Sequence, residues 1–148
     1  SFEMLVRRSL PGYTPPFELE DFVIVERRRR SHSADEQNEM LAEAMVKVRV
    51  QGEVLHTAAE GNGPVNALDL ALRKALSDYY PQIKNFNLSD YKVRILDSDH
   101  GTEAITRVLI DTRNTTSRWS TVGAGTNIIE ASWRALADSV EYGLMVAH

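Results

Sequence analysis

Gly61-Asn62-Gly63-Pro64-Val65-Asn66-Ala67-Leu68 and Gly123-Ala124-Gly125-Thr126-Asn127-Ile128-Ile129 are the stretches whose reading decides the fold. Each stands where a strand pattern gives way to a helical one, before Asp69 to Tyr80 in the first case and Glu130 to Tyr142 in the second. The offset from Gly61 to Gly123 equals that from Gly63 to Gly125, so the two turns pair glycine for glycine. A strand feeding a helix through such a turn leaves backbone N–H groups unpaired at the positive end of the helix dipole, a ready site for a small carboxylate or phosphate. Two such ends in one small chain read as a duplicated binding scaffold, not as a catalytic centre. Either turn alone is weak evidence. Glycine permits a positive φ or a tight turn, Pro64 suits a first helical turn with Gly63 as cap, and Asn127 with Glu130 three residues on resembles a capping box. Neither turn completes a Gly-x-Gly-x-x-Gly or a phosphate loop with its Lys.

Working outward, each turn closes a set of three strand patterns. In the first half these are Phe17 to Arg27, centred on Phe22-Val23-Ile24-Val25, then Met45 to Val50, then Val54 to Ala59. Met45 to Val50 alternates cleanly, Val46, Val48 and Val50 pointing one way and Lys47 and Arg49 the other. Gln51-Gly52-Glu53 forms a turn, and the polar run Arg27 to Asn38 reads as a mobile loop. The second half repeats the order with Tyr91 to Leu96 (Val93 and Ile95 inward), Arg107 to Asp111, a turn at Asn114 to Ser117, and Arg118 to Val122. Leu68, Ala71, Leu72, Ala75 and Leu76 stripe the first helix; Ile128, Ile129, Ser132, Ala135, Leu136 and Val140 stripe the second. The predicted class is α+β: two βββα units, residues 17–80 and 91–148 joined by 81–90, with antiparallel strands and helices packed on one sheet face. Residues 1–16 read as the end of a helix, with Phe2, Leu5 and Val6 on one face, followed by a linker broken by Pro11, Gly12, Pro15 and Pro16.

Composition narrows the function. The chain has 148 residues, 43% hydrophobic and 26% charged, the balance of an ordinary globular domain. A net charge of −4 argues against general nucleic-acid binding, whose affinity rests on neutralising phosphates. With no cysteine, disulfides, thiolate metal ligands and a Cys nucleophile are all excluded, which fits a cytoplasmic protein. No apolar run approaches the roughly 20 residues of a membrane helix, and no signal-peptide pattern opens the chain. Its start without Met is read as that of a piece of something longer.

No catalytic constellation emerges. His32, His56, His100 and His148 are scattered. Asp97, Asp99 and His100 could touch a metal, but the further ligands and closing Glu of a calcium loop are missing, so a solvated turn is the reading adopted. Arg27 to Arg30 is offset by Asp35, Glu36 and Glu39 and reads as a solvated strand end. There is no nucleophile elbow and no recognisable triad order.

In order along the chain, Ala59-Glu60-Gly61-Asn62-Gly63-Pro64-Val65-Asn66-Ala67-Leu68-Asp69, Asp90-Tyr91-Lys92-Val93-Arg94-Ile95-Leu96-Asp97, Thr121-Val122-Gly123 and Asn127-Ile128-Ile129-Glu130-Ala131-Ser132-Trp133 resemble the C-terminal regulatory domain of citramalate synthases, a type shared with 2-isopropylmalate synthases. The resemblance covers Phe17 to Leu144, with residues 1–16 resembling the tail of the preceding subdomain and its linker. It departs at Gly123-Ala124-Gly125-Thr126, where the family pattern has Gly-Val-Ser before the Asn-Ile-Ile run.

The resemblance implies a dimeric, allosteric domain that binds the end-product amino acid and has no activity, catalytic residue or cofactor of its own. An N-terminal TIM barrel of the same polypeptide would condense acetyl-CoA with pyruvate, toward isoleucine, using a divalent metal. It implies effector contacts at Gly61, Gly63, Val65 and Asn66 at the first turn, Ile95, Ala104 and Thr106 on the second unit's strands, and Ala124 and Thr126 at the second turn. Isoleucine is the expected effector; leucine, on an isopropylmalate synthase, is the alternative, and a purely structural dimerisation module is the third reading. An autonomous enzyme acting on phosphorylated substrates is disfavoured by the missing base, metal cluster and phosphate-loop Lys.

Overall fold

The structure is a computed structural model that describes residues 2–29, 39–96 and 105–145. The chain forms two compact units, Phe17–Tyr79 and a second made of Tyr80–His148 together with Ser1–Pro16. In the first unit β1 (Glu18–Arg29), β2 (Glu39–Val50) and β3 (Glu53–Gly61) precede α2 (Pro64–Leu76). In the second, α1 (Phe2–Ser9) is followed, after the first unit, by β4 (Asn87–Leu96), β5 (Ile105–Arg113), β6 (Arg118–Gly125) and α3 (Ile128–Met145). Each unit has one three-stranded antiparallel sheet in sequential order. The two predicted βββα units are thus both present.

Alternation sets the sheet faces. On β2, Ala42, Ala44, Val46, Val48 and Val50 are buried, while Met45, Lys47 and Arg49 are exposed. Against the buried row α2 lays Ala67, Leu68, Ala71, Leu72, Ala75 and Leu76. The second unit buries Val108 and Ile110 of β5 against Ala131, Ser132, Ala135, Leu136 and Val140 of α3. Ile128, predicted for that stripe, is 44% exposed, because the first residue of α3 overhangs the sheet end. Trp119 sits edge-on to Phe86, with ring centroids 5.3 Å apart, and donates from Nε1 to Ser139 O at 2.9 Å.

Val93 and Ile95 pair with Val108 and Thr106 and so share the helix-side face, as expected, but they are 40% and 66% exposed. The reason is that α3 lies over β5 and β6 and leaves β4 uncovered. The Phe2-Leu5-Val6 stripe of α1 is likewise exposed; Met4 is the buried residue of that helix. At the other loop, β1 runs on to Arg29, paired with Glu39, where the sequence suggested that a loop begins at Arg27; residues 30–38 lie outside the described residues.

The units repeat in detail. Thr57 Oγ1 donates to Ala71 O and Thr121 Oγ1 to Ala135 O, both at 2.8 Å and both across 14 residues. The first strand of each sheet carries a bulge at the matching ladder position, between Leu19 and Asp21 and between Leu88 and Asp90. Gly61 pairs with Ala42 and Gly125 with Thr106. These equivalences correct the glycine-for-glycine pairing: Gly61 corresponds to Gly125, Gly63 to Asn127, and Gly123 to Ala59.

Gly123 therefore has its own reason to be glycine. A Cβ there would lie 2.2 Å from Ala131 O and 2.4 Å from Ala135 N, so α3 rests directly on the strand backbone. Gly61 is similarly pressed, 2.7 Å from Ala67 N, whereas a Cβ at Gly63 meets nothing within 4 Å. None of the four turn glycines has a positive φ; among the described residues Gly12 and Gly52 are the glycines that do. Gly123→Ala is expected to cost about 1–3 kcal/mol through overpacking against backbone that has no side-chain freedom, read as a lowered Tm in thermal denaturation, while Gly63→Ala stays within about 1 kcal/mol.

Candidate functional site

The two strand-to-helix turns differ in what closes them. At the second, Asn127 caps α3: its Oδ1 accepts from Glu130 N at 2.9 Å, and its carbonyl accepts from Ala131 N at 3.1 Å. Glu130 adds a carboxylate in the first turn. Its Oε2 accepts from Thr126 Oγ1 at 3.2 Å and its Oε1 pairs with Arg134 at 2.7 Å, while Arg134 also donates to Ala124 O at 2.7 Å. Half of the expected capping box is realised, since the Glu130 side chain turns to Thr126 and Arg134. This helix end is already supplied with a cap and a negative charge by its own residues.

The first turn is built otherwise. Gly63, the structural counterpart of Asn127, is the N-cap of α2 with extended φ and ψ of −172° and 175°, and no side chain caps the helix. Pro64 follows at the first position, and the first turn contains no acidic residue. Helix geometry leaves the Val65 and Asn66 N–H groups without intrahelical acceptors. Asn66 supplies no acceptor to them, because its Oδ1 turns back to accept from Asn62 N at 3.1 Å and so holds the turn in shape. Val65 is half-buried beside these donors. The result is a positive helix end, rigidly shaped and open, with an apolar neighbour.

The predicted effector residues fall into two groups. Gly61, Gly63, Val65 and Asn66 gather at the open turn of the first unit. In the second unit Ile95 and Thr106 are directly paired on the helix-side face, where Thr106 is buried and Ile95 exposed, and Thr126 stands just beyond on the way to α3. Ala124 pairs with Arg107, so its side chain points to the opposite face and the sheet separates it from Ile95 and Thr106. Ala104 lies outside the described residues, as do Asp97, Asp99, His100, His32 and His148. His56 is exposed on β3.

Two features escaped the sequence reading. Tyr91 spans from the uncovered strand to the helix, its hydroxyl 2.9 Å from Ser132 Oγ; its place on the Val93–Ile95 side of an alternating strand was the available signal. On the second sheet, Lys92, Val93, Arg94, Arg107, Leu109 and Val122 border a concavity of about 520 Å³ that none of the described effector residues lines. Among the described residues no three His, Cys, Asp or Glu side chains group closely enough to hold a metal ion, and no helix is long and apolar enough to cross a membrane.

Two βββα units with strand-to-helix turns at corresponding places define a tandem βββα domain. The chain belongs to the family of the LeuA allosteric (dimerisation) domain, whose pattern matches residues 1–144. It is 49% identical over 144 residues to an (R)-citramalate synthase of Geobacter sulfurreducens and 47% identical over 145 residues to one of Synechocystis sp., in each case over 97% of this chain. A 2-isopropylmalate synthase of Shewanella amazonensis is 36% identical over 95 residues, which is 64% of this chain and 17% of that protein. The chain spans about a quarter (26%) of each of these two citramalate synthases and corresponds to their regulatory domain, with no catalytic domain in it. The resemblance drawn from the turn motifs is thereby confirmed at the level of the family.

The asymmetry of the turns predicts opposite outcomes for two substitutions. Asn127→Ala removes a cap and lowers stability by about 1 kcal/mol. Gly63→Asp supplies the missing cap and a negative charge at an open helix end, raising stability by about 0.5–1 kcal/mol. Urea titration of each variant beside the parent chain checks both signs.

Proposed function

We propose that this chain is the feedback-regulatory domain of an (R)-citramalate synthase, that it dimerises, and that its effector is isoleucine. The observation that carries the effector reading is the open, uncapped N-terminus of α2 at Gly61-Asn62-Gly63. A free amino acid brings a carboxylate, which the unsatisfied Val65 and Asn66 N–H groups suit, and an aliphatic side chain, which Val65 suits. In the second unit, the exposed Ile95 beside Thr106 offers a further apolar and hydroxyl-bearing surface. Identities of 43–49% to citramalate synthases, against 33–36% over about two thirds of the chain to 2-isopropylmalate synthases, favour the citramalate branch and hence isoleucine over leucine.

In this reading the catalytic work belongs to a TIM barrel elsewhere in the same cytoplasmic polypeptide, where a divalent metal serves the condensation of acetyl-CoA with pyruvate. Isoleucine binds one domain arrangement better than another, and the difference in affinity shifts the population away from the active arrangement. A ligand that bound both arrangements equally would inhibit nothing.

Calorimetric titration of the 148-residue chain with isoleucine, leucine and valine tests the proposal. Saturable isoleucine binding tighter than leucine is expected, and Gly63→Asp should weaken it at least about tenfold, since the new carboxylate takes the place of the ligand's. Tighter leucine binding assigns the chain to the isopropylmalate branch. No heat with any of the three, on folded dimeric protein at millimolar ligand, leaves a structural association module.

A further inference from the structure

Segment 2–16 belongs to the second unit but contributes little to its core. Within α1 only Met4 is buried, while Phe2, Leu5 and Val6 are 82%, 66% and 44% exposed. Beside Met4, what holds the segment is polar. Arg8 Nη2 donates to Asp138 Oδ1 and to Glu141 Oε2, each at 2.5 Å. Tyr13 donates its hydroxyl to the other carboxylate oxygen of Glu141, and Tyr80 donates to Pro16 O at 2.8 Å. The Asp138 and Glu141 side chains are only 14% and 7% exposed.

Asp138 and Glu141 lie one turn apart on α3, where like charges repel, and a carboxylate as buried as Glu141 is costly without a cation. Arg8 relieves both conditions. Burial opposes the charge on Arg8, but Glu141 and Asp138 outweigh it and hold the guanidinium above its ordinary pKa. Attachment of the segment rests on a short set of contacts, the clasp to Asp138 and Glu141 together with buried Met4, Glu3 to Tyr142 and Tyr80 to Pro16, and the clasp is the charged part of it.

The clasp occupies the last turns of α3, and the second strand-to-helix turn opens the first turn of the same unbroken helix. We propose that residues 2–16 are a detachable strap, docked on α3 through Arg8 and Tyr13, and that α3 couples its docking to occupancy of the effector residues of the same unit, Ile95, Thr106 and Thr126. The coupling half rests on the effector reading above; the strap itself does not. A helix joining a clasp at one end to the turn that carries Thr126, near Ile95 and Thr106, at the other is a two-state element that both ends bias.

Hydrogen exchange read by mass spectrometry on the whole chain tests it. Arg8→Met is expected to lose protection across residues 2–16 by roughly tenfold or more, with β5 and β6 unchanged. Glu141→Gln, which removes the charge but keeps the shape, should give the same pattern. Arg7→Met, whose described partner is Glu3 on its own helix, should not. Equal loss across residues 2–16 and β5–β6 would make the segment an integral part of the fold and overturn the strap, as would no loss at all. Saturating isoleucine should change exchange of residues 2–16 in the unmodified chain. If calorimetry shows isoleucine bound while that exchange stays unmoved, the coupling is refuted. If isoleucine does not bind, the effector reading and the coupling fall together, and the Arg8→Met comparison still decides the strap.

Discussion

Everything in each unit depends on how closely a helix can lie on the strand that precedes it. The chain must turn from β3 into α2, or from β6 into α3, and fold straight back, so the first turns of helix and the last residues of strand meet at backbone distance. At Gly123 the gap is closed to the point where a single methyl group would strike the carbonyl of Ala131. The hydroxyls of Thr57 and Thr121 then bond to helix carbonyls and fix the rotation of each helix over its sheet. With distance and rotation set, the small residues of the helix stripes are the ones that fit, and the valine and alanine row of β2 has a surface to be buried against.

The same constraint explains why the two helix ends came to differ. Both turns need shape, but only one uses its N-cap residue to satisfy the helix. Asn127 and Glu130 complete the end of α3 from within, and such an end has little left to offer a carboxylate. Gly63 leaves the end of α2 incomplete, while Asn66 braces the turn from Asn62. Stability forgone at one helix end is a common mark of a place kept for something else to bind.

Much of this was legible in the residues. The alternation at Met45 to Val50 and the stripe from Leu68 to Leu76 are strong periodic signals, and they gave strand, helix and buried face correctly. The turns, too, could be located from glycine followed by a helical pattern. Their equivalence could not. Counting glycines matched Gly63 with Gly125, whereas the hydrogen-bond ladder matches it with Asn127; register is a long-range property that no local motif carries. Exposure of Val93 and Ile95 was missed for a related reason: alternation tells which face a side chain takes, and only the width of the covering helix tells whether that face is covered. The grouping of Ile95 with Thr106, and the separation of Ala124 from both, also follow from ladder parity, which needs the pairing to be known. The clasp between Arg8 and Glu141 joins the two ends of the chain, 133 residues apart, and has no sequence signature at all.

The paired bulges at Leu19–Asp21 and Leu88–Asp90 have an effect on what these sheets can become. β1 and β4 each form one outer edge of a three-stranded sheet, where one side of the backbone pairs with no strand of that sheet. A regular edge of that kind is a template on which foreign strands add indefinitely. One surplus residue throws the row out of step, so an incoming strand would find partners along only part of its length and then lose them. Strand addition is thus hindered at the same rung on one edge of each sheet, while the opposite edges, β3 and β6, run without a bulge.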